Sequence, residues 1–193
     1  MPTPWKPTKA QLLAARDKLV PDVIAKDLIV LFAGINPGLY TAAVGRHFAR
    51  PGNRFWPALH SGGFTPRLFS PFDESLLLDL KLGITNVVDR ATARADELTD
   101  DELRAGGLRL EVKVKRWRPT VVAFVGIHPY RIVSGNKDAH VGLQEPLFGG
   151  SRAWVLPNPS GINAHYQPSA LTRLFTDLRL WAVAQHGRGQ IRR

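Results

Sequence analysis

Apolar residues occur along the chain either in short unbroken runs or at helical spacing. The unbroken runs lack the apolar-polar alternation of a half-exposed strand, so each predicts a strand buried on both faces, as in a parallel sheet. The predicted strands are residues 28–33, 84–88, 121–125 and 154–156, and the predicted helices are residues 8–20, 54–61, 72–81, 99–117 and 168–185. Because strands and helices alternate, we expect a three-layer α/β/α fold around a central, mostly parallel four-stranded sheet.

Polar residues mark the starts of three predicted helices. Thr8 and Asn53 stand where an N-cap side chain can accept a hydrogen bond from the first helical turn. Thr99 is followed three residues later by Glu102, which is the capping-box pattern.

Each predicted strand is followed by a distinctive turn. The first strand leads into Gly34-Ile35-Asn36-Pro37-Gly38, and the last leads into Asn158-Pro159-Ser160-Gly161. Proline fixes the backbone and glycine allows conformations closed to other residues, so Asn36 and Asn158 stand in rigid turns. Ligands of parallel sheets bind beyond the carboxyl ends of the strands. We therefore expect the two Asn-Pro turns to meet at one edge of the sheet and enclose a ligand.

The composition is that of one domain. The 193 residues have a mass of 21.4 kDa and are 44% apolar, which is enough for a hydrophobic core. We interpret residues 1–193 as a single domain, with residues 1–7 as an N-terminal arm and residues 187–193 as a flexible basic tail. The longest apolar runs have seven or eight residues, short of the about 20 that span a bilayer. We expect no membrane association.

Cysteine is absent from the chain, which excludes disulfides, thiolate zinc sites and cysteine nucleophiles. The absence is compatible with a reducing cytoplasm, and we expect a cytoplasmic location, nucleoid-associated if the protein is bacterial. The six histidines show no metal-ligand spacing, so we expect no metal. Ser160 lacks the nucleophile-elbow motif, and no strand is followed by a glycine-rich phosphate loop.

The charge balance indicates a polyanionic partner. The chain has 26 Lys and Arg against 16 Asp and Glu, for a net charge of +10. Such a charge attracts nucleic acid and speeds its encounter. The alternative is a basic surface that only keeps the protein soluble.

Two residues near the strand ends have candidate chemistry. Phe48 lies between Arg46 and Arg50, where an aromatic ring can stack on a nucleobase with a gain of about 1–3 kcal/mol. It can equally fill the core. Asp89 follows the second predicted strand, where it can act as a general base, cap a helix or pair with Arg90.

Taken together, four motifs carry a family resemblance. GINPG, HFARPGNRFW, VVDR and NPSG occur in this order and at these separations in the mismatch-specific uracil-DNA glycosylases, which belong with the thymine-DNA glycosylases. The chain resembles this family from about residue 28 to its last helix. The resemblance implies a parallel sheet flanked by helices, no cofactor, and hydrolysis of the base-sugar bond in duplex DNA with G·U or G·T mispairs.

The resemblance also implies roles for individual residues. Asn36 would hold the attacking water. Apart from the resemblance, we hypothesise that Asp89 orients the water or takes its proton. Backbone groups at Ile35 and Phe48 would bind the flipped base, on which Phe48 would stack. The other implied residues are Thr41 and Asn158 in the base pocket, and Ser160, Gly161, Ile162, Asn163 and His165 in the DNA-contacting wedge loop. We also place Gly38 in the base pocket, because it carries no side chain that would exclude groups on C5 of the pyrimidine.

Departures from the family pattern affect the expected specificity. Ile162-Asn163-Ala164 stand in place of the usual Leu-Ser-Arg of the wedge loop, and His165 could substitute for that arginine. Asn86 stands where some members have lysine. The aspartate and histidine motifs of the uracil-specific branch are absent, which places the chain outside that branch. We expect a monomeric mispair glycosylase. The alternatives are a non-catalytic nucleic-acid-binding protein and a nucleotide-binding α/β protein.

Overall fold

The computed structural model describes residues 6–161 and 166–191 and has a central five-stranded sheet. In chain order the strands are β1 (Val30–Gly34), β2 (Leu82–Asn86), β3 (Val121–Val125), β4 (Gly142–Phe148) and β5 (Ser151–Leu156). Their spatial order is β2-β1-β3-β5-β4, and every pairing is parallel except that of β4 with β5. The carboxyl ends of the four parallel strands therefore lie along one edge.

Helices connect the strands and cover both faces of the sheet. They are α1 (Lys9–Leu13), α2 (Leu39–Val44), α3 (Phe55–Ser61), α4 (Asp100–Trp117), α5 (Ile127–Ser134) and α6 (Pro168–Ile191), with 3-10 helices at Pro71–Leu80 and Ala95–Glu97. No helix in the described ranges is both long and apolar enough to cross a bilayer.

The core has two halves because successive residues of a strand point to opposite faces. Phe32 of β1 packs on one face with Phe55 of α3 and Phe175 of α6. The neighbouring Leu31 belongs to the cluster on the other face, with Leu110 of α4. Every residue of β1, β2 and β3 is buried, as strands covered on both faces must be. The predicted three-layer fold class is confirmed.

The sheet has one strand more than predicted, because β4 gives no strand signal in the sequence. β4 pairs antiparallel at the edge, and Gln144 is its one buried residue. Pro146 cannot donate to the ladder, and the register shifts between Gln144 and Leu147. An exposed edge strand with an internal proline lacks both the apolar run and the alternation that identify strands.

The end of β2 also differs from the prediction. Val87 and Val88 are apolar, so the sequence pattern extended the predicted strand past its true end, and both residues are buried in the structure. In the structure β2 ends at Asn86, and the N–H groups of the two valines donate to the carbonyls of Gly34 and Ile35 at 2.8 and 2.9 Å. Asn86 therefore stands at the carboxyl end of the strand, three residues before Asp89.

Two of the three predicted caps are present at the helix starts. The hydroxyls of Thr8 and Thr99 accept from the N–H groups of Gln11 and Glu102. The third cap differs: α3 has Arg54 at its N-cap position, and Asn53 lies one residue earlier, where its side chain accepts from the N–H of Phe55 at 2.9 Å.

Several helices have other bounds than predicted, because tertiary contacts compete with helical hydrogen bonds. α1 ends at Leu13 instead of residue 20. The chain then turns through Asp17, whose φ is +62° and whose N–H donates to the Ala91 carbonyl. α2 and α5 lie in segments where no helix is predicted; with six and eight residues, they are too short to show clear periodicity. α6 continues to Ile191, into the segment interpreted as a tail.

Candidate functional site

A cavity of about 540 Å³ opens at the carboxyl ends of the parallel strands. Both Asn-Pro turns contribute to its wall, as the sequence predicts, through Asn36 after β1 and Asn158 after β5. The remaining wall comes from the ends of β2 and β3, from α2, from the segment after β2 and from the loop before α3. The lining residues are Ile35, Asn36, Pro37, Gly38, Thr41, His47, Phe48, Arg50, Asn53, Asn86, Thr92, Ala93, Arg94, Ala95, Asp96, Val125, Asn158 and Ser160.

The Asn36 side chain is held in one orientation by its neighbours. Its Nδ2 donates to the Arg90 carbonyl at 3.0 Å and to the Thr92 hydroxyl at 2.7 Å. The Thr92 hydroxyl donates its own hydrogen to the Arg94 carbonyl at 2.7 Å, so it can only accept from Asn36. Both amide hydrogens of Asn36 are thus used, and Oδ1 is fixed as a hydrogen-bond acceptor at the cavity wall.

Backbone pairing fixes the two segments that meet at Asn36. The Thr92 N–H donates to the Pro37 carbonyl and the Leu39 N–H donates to the Thr92 carbonyl, both at 3.1 Å. Gly38 and Thr92 form an isolated parallel bridge. The turn that presents Asn36 and the loop that orients its amide therefore form one rigid unit.

Asp89 is not among the cavity-lining residues. It is half-exposed beside Arg90, the residue whose carbonyl holds Asn36. Among the described residues, the carboxylate that lines the cavity is that of Asp96. Asp96 binds both Nε and Nη2 of Arg94, and this hydrogen bonding raises the pKa of the Arg94 guanidinium above its usual value.

Phe48 forms an aromatic part of the cavity wall. Its ring stacks on Phe55 with centroids 3.9 Å apart and planes 16° from parallel. It also packs over Gly34, where an added Cβ would lie 3.4 Å from Phe48 Cζ and 2.7 Å from Asn86 Oδ1. The close approach explains the glycine at the end of β1. Phe48 is partly exposed, so it both contacts the core and faces the cavity.

Gly38 and Thr41 lie together on the α2 side of the cavity. The buried Thr41 hydroxyl accepts from the Ala49 N–H at 3.3 Å, which ties α2 to the loop bearing Phe48. Gly38 is exposed, and a Cβ placed on it would meet no atom within 4 Å. A side chain at position 38 would therefore project into open space beside the cavity.

The second Asn-Pro turn is held against the loop before α3. Asn158 Oδ1 accepts from the Ser160 N–H at 2.9 Å. Arg54 donates from its backbone N–H to the Pro159 carbonyl and from Nη2 to the Ser160 carbonyl. A Cβ on Gly161 would lie 2.5 Å from the Gly52 carbonyl oxygen, so this close packing requires glycine.

The predicted wedge residues fall only partly within the structure. Ser160 lines the cavity, whereas Gly161 does not. Ile162, Asn163 and His165 lie outside the described residues. The wedge assignment of these three positions remains a prediction from the resemblance.

Several lining residues were missed by sequence reasoning. Asn86 was missed because the predicted strand continued to Val88, although the rule that ligands bind at strand ends would have identified Asn86 had the end been placed correctly. The segment from Thr92 to Asp96 carries no motif, and only its pairing with the turn at Pro37 brings it to the cavity. Buried His47 also reaches the wall.

Comparison with known families agrees with this architecture. The family model described as the uracil DNA glycosylase superfamily matches residues 21–179, from before β1 into α6. The matched region contains all five strands and every described cavity residue. Members of the superfamily are DNA glycosylases, hydrolases that act on DNA. The chain belongs to the uracil DNA glycosylase superfamily.

Proposed function

We propose that this protein is a monofunctional DNA glycosylase that hydrolyses the N-glycosidic bond of uracil mispaired with guanine, in base excision repair. The observation that carries the proposal is the Asn36 acceptor, locked in place on the wall of a cavity that also presents the Phe48 ring. A flipped pyrimidine needs both a stacking surface and a positioned water. Thymine mispaired with guanine is the second candidate base.

The base is held by stacking and by polar groups at the strand ends. Phe48 stacks on one face of the pyrimidine, with Phe55 behind it. Backbone groups at Ile35 and Phe48 and the amides of Asn86 and Asn158 hydrogen-bond the edge of the ring, and these residues all line the cavity. Carboxamides suit uracil because each offers both a donor and an acceptor.

The attacking water is held by Asn36. Its Oδ1 accepts a hydrogen from the water, since both hydrogens of Nδ2 are bound by the Arg90 carbonyl and the Thr92 hydroxyl. The water oxygen is thereby directed towards C1′ of the flipped nucleotide, and Thr92 acts as a positioning residue.

A weak nucleophile is sufficient for this reaction. The bond to C1′ breaks with oxocarbenium character in the sugar, and the departing pyrimidine anion is stabilised by fixed N–H donors. Asp89 is adjacent to Arg90, whose carbonyl holds Asn36, and in our proposal it takes the proton from the water after attack. Because Asp89 does not line the cavity, we expect its substitution to cost less activity than that of Asn36.

The charge of the protein suits duplex DNA. Arg50 and Arg94 lie at the cavity, where phosphates flanking a flipped nucleotide would pass. In our proposal Ser160 and Gly161 begin the loop that meets the DNA, and Ile162, Asn163 and His165 complete the wedge. A G·U mispair costs less to open than a Watson–Crick pair, which favours mispaired substrates.

The test is incubation with a duplex containing one G·U pair, followed by alkali and analysis of strand cleavage. We expect cleavage by the natural protein and its loss in Asn36→Ala, by about 100-fold or more. Asp89→Asn serves as the comparison, with a smaller loss. The proposal would be overturned if none of the three substrates, G·U duplex, G·T duplex and single-stranded DNA with uracil, were cleaved. Salt-dependent binding without cleavage, indifferent to the mispair, would indicate the non-catalytic alternative.

A further inference from the structure

A buried carboxylate lies beneath the loop that carries Phe48. Glu74, in the 3-10 helix Pro71–Leu80, has a side chain that is 5% exposed. Its Oε2 accepts from the His47 N–H at 2.8 Å and lies 3.0 Å from His47 Nδ1, and its Oε1 accepts from Arg46 Nη1 at 3.2 Å. Burying a carboxylate is costly unless it is paired and hydrogen-bonded. All of these side-chain contacts go to the two residues before Phe48.

Phe48, which follows the two residues bound by Glu74, has a strained backbone. Phe48 has a φ of +52°, in the left-handed region, which is unfavourable for a residue with a Cβ. The surroundings must maintain this conformation. Besides Glu74, the loop is held by Trp56 Nε1, which donates to the His47 carbonyl at 3.2 Å, and by Thr41, which accepts from the Ala49 N–H.

The backbone conformation at residues 47–49 decides where the Phe48 ring lies. The ring is confined between Phe55, 3.9 Å away between centroids, and the end of β1 at Gly34. The other ring nitrogen of His47, the buried Nε2, has no hydrogen-bond partner among the described residues. Nδ1 and the backbone N–H, both bound by Glu74, therefore fix the imidazole.

We propose that Glu74 is a positioning residue for base stacking, which holds the left-handed Phe48 loop against the cavity without itself contacting the substrate. The inference rests on the proposed function for the claim that Phe48 stacks on a flipped base. Glu74 does not line the cavity, so its effect on the reaction must pass through the loop.

The structural part of the inference is tested without activity. Glu74→Ala and Glu74→Gln are compared with Asp73→Asn, which removes the neighbouring carboxylate; Asp73 contacts Arg67 and Ser70 instead of the loop. We expect faster amide hydrogen exchange at residues 46–49 in both Glu74 variants and not in the control. If Glu74→Ala does not fold, Glu74→Gln, which keeps the shape and one acceptor oxygen, gives the answer. Unchanged exchange at residues 46–49 overturns the inference.

The functional part is tested by a double-mutant cycle in single-turnover uracil release from G·U duplex. We expect Glu74→Ala to lower the maximal rate by about 10- to 100-fold, as a small misplacement of a substrate-positioning group does, with little change in half-saturation. In a Phe48→Ala background the same substitution should change the rate by less than about threefold, because no ring remains to be positioned. Equal effects in both backgrounds overturn the inference.

The two proposals fail in distinguishable ways. If the natural protein releases no uracil while hydrogen exchange in the loop still responds to Glu74, the proposed function fails and the anchoring of the loop by Glu74 is supported. If the natural protein is active but the cycle shows additive effects, the proposed function is supported and the positioning role of Glu74 is overturned.

Discussion

At the scale of single residues, the site depends on a chain of hydrogen bonds with a fixed direction. The Thr92 hydroxyl has one hydrogen, and its donation to the Arg94 carbonyl obliges it to accept from Asn36. The Arg90 carbonyl can only accept. The amide of Asn36 therefore has one orientation that satisfies all of its partners, which leaves Oδ1 as an acceptor on a residue that lines the cavity.

Thr92→Val tests this orientation, because it keeps the shape of the side chain and removes the hydroxyl. We expect single-turnover uracil release to fall by about 5- to 30-fold, equivalent to about 1–2 kcal/mol for a lost partner of a partly buried amide. Thr92→Ser keeps the hydroxyl and should retain most of the rate. Equal losses in the two variants would show that the hydroxyl does not orient Asn36.

Gly38→Ala tests the tolerance of the pocket for groups on C5 of the pyrimidine. Gly38 has φ −74° and ψ 160°, which alanine adopts freely, and the new Cβ would meet no atom within 4 Å. We expect unchanged thermal stability and a larger loss of thymine release from G·T than of uracil release from G·U. Gly187→Ala, which also adds a methyl group in open space, is the matched control. An equal loss of uracil release and thymine release would indicate that residue 38 does not lie next to C5 of the pyrimidine.

At the scale of elements, the start of α4 supports the loop that orients Asn36. Glu102 closes the capping box with Thr99, and its Oε1 accepts from Arg90 Nε at 2.6 Å. The hydrogen bond from Arg90 is the largest cause that lowers the pKa of Glu102 to about 2, from an ordinary value of 4.5. The first turn of α4 is thus linked electrostatically to the segment that supplies the Arg90 carbonyl.

Glu102→Gln tests this link through its pH dependence. Glutamine preserves the capping box, so the substitution removes mainly the ionic contact with Arg90. Because the folded-state pKa is below the unfolded value, the contribution is complete above about pH 4.5 and is lost as pH falls towards about 2. We expect the variant to be less stable than the natural protein in urea at about pH 7. This difference in stability should vanish as the pH falls to about 2. A constant difference would contradict the ionic explanation.

At the scale of the whole molecule, a net charge of +10 acts together with one cavity at the edge of the sheet. Arg50 and Arg94 are exposed at this cavity. Arg104, on α4, is paired with Asp100 and Asp101 much as Arg94 is paired with Asp96, but it does not line the cavity. We therefore expect cationic residues to contribute to DNA binding according to their place and not only their number.

Salt dependence of binding separates these contributions. Arg50→Gln and Arg94→Gln should each weaken binding to duplex DNA and reduce the slope of log K against log salt by about 1, as expected for one lost phosphate contact. Arg104→Gln, with the same change of charge, should leave the slope almost unchanged. Equal slopes in all three variants would indicate that only the net charge matters.

Much of the fold and part of the site follow from the sequence for local reasons. Unbroken apolar runs produce strands buried on both faces, as at Val121–Val125, and Thr99 with Glu102 begins a helix through its own side chains. The meeting of the two Asn-Pro turns also follows, because carboxyl ends of parallel strands share an edge. By contrast, the edge strand β4 has no buried apolar run, so the sequence contains little sign of it.

The sequence by itself determined the three-layer architecture, the edge at which the cavity opens and the rigidity of the turn that carries Asn36. Only the tertiary structure decided which side chains share the cavity, since it placed Asn86, Thr92 and Asp96 in the wall and Asp89 outside it. The reason is physical: periodicity and turn chemistry act over a few residues, whereas the wall depends on where β2 ends and on hydrogen bonds between residues more than fifty positions apart.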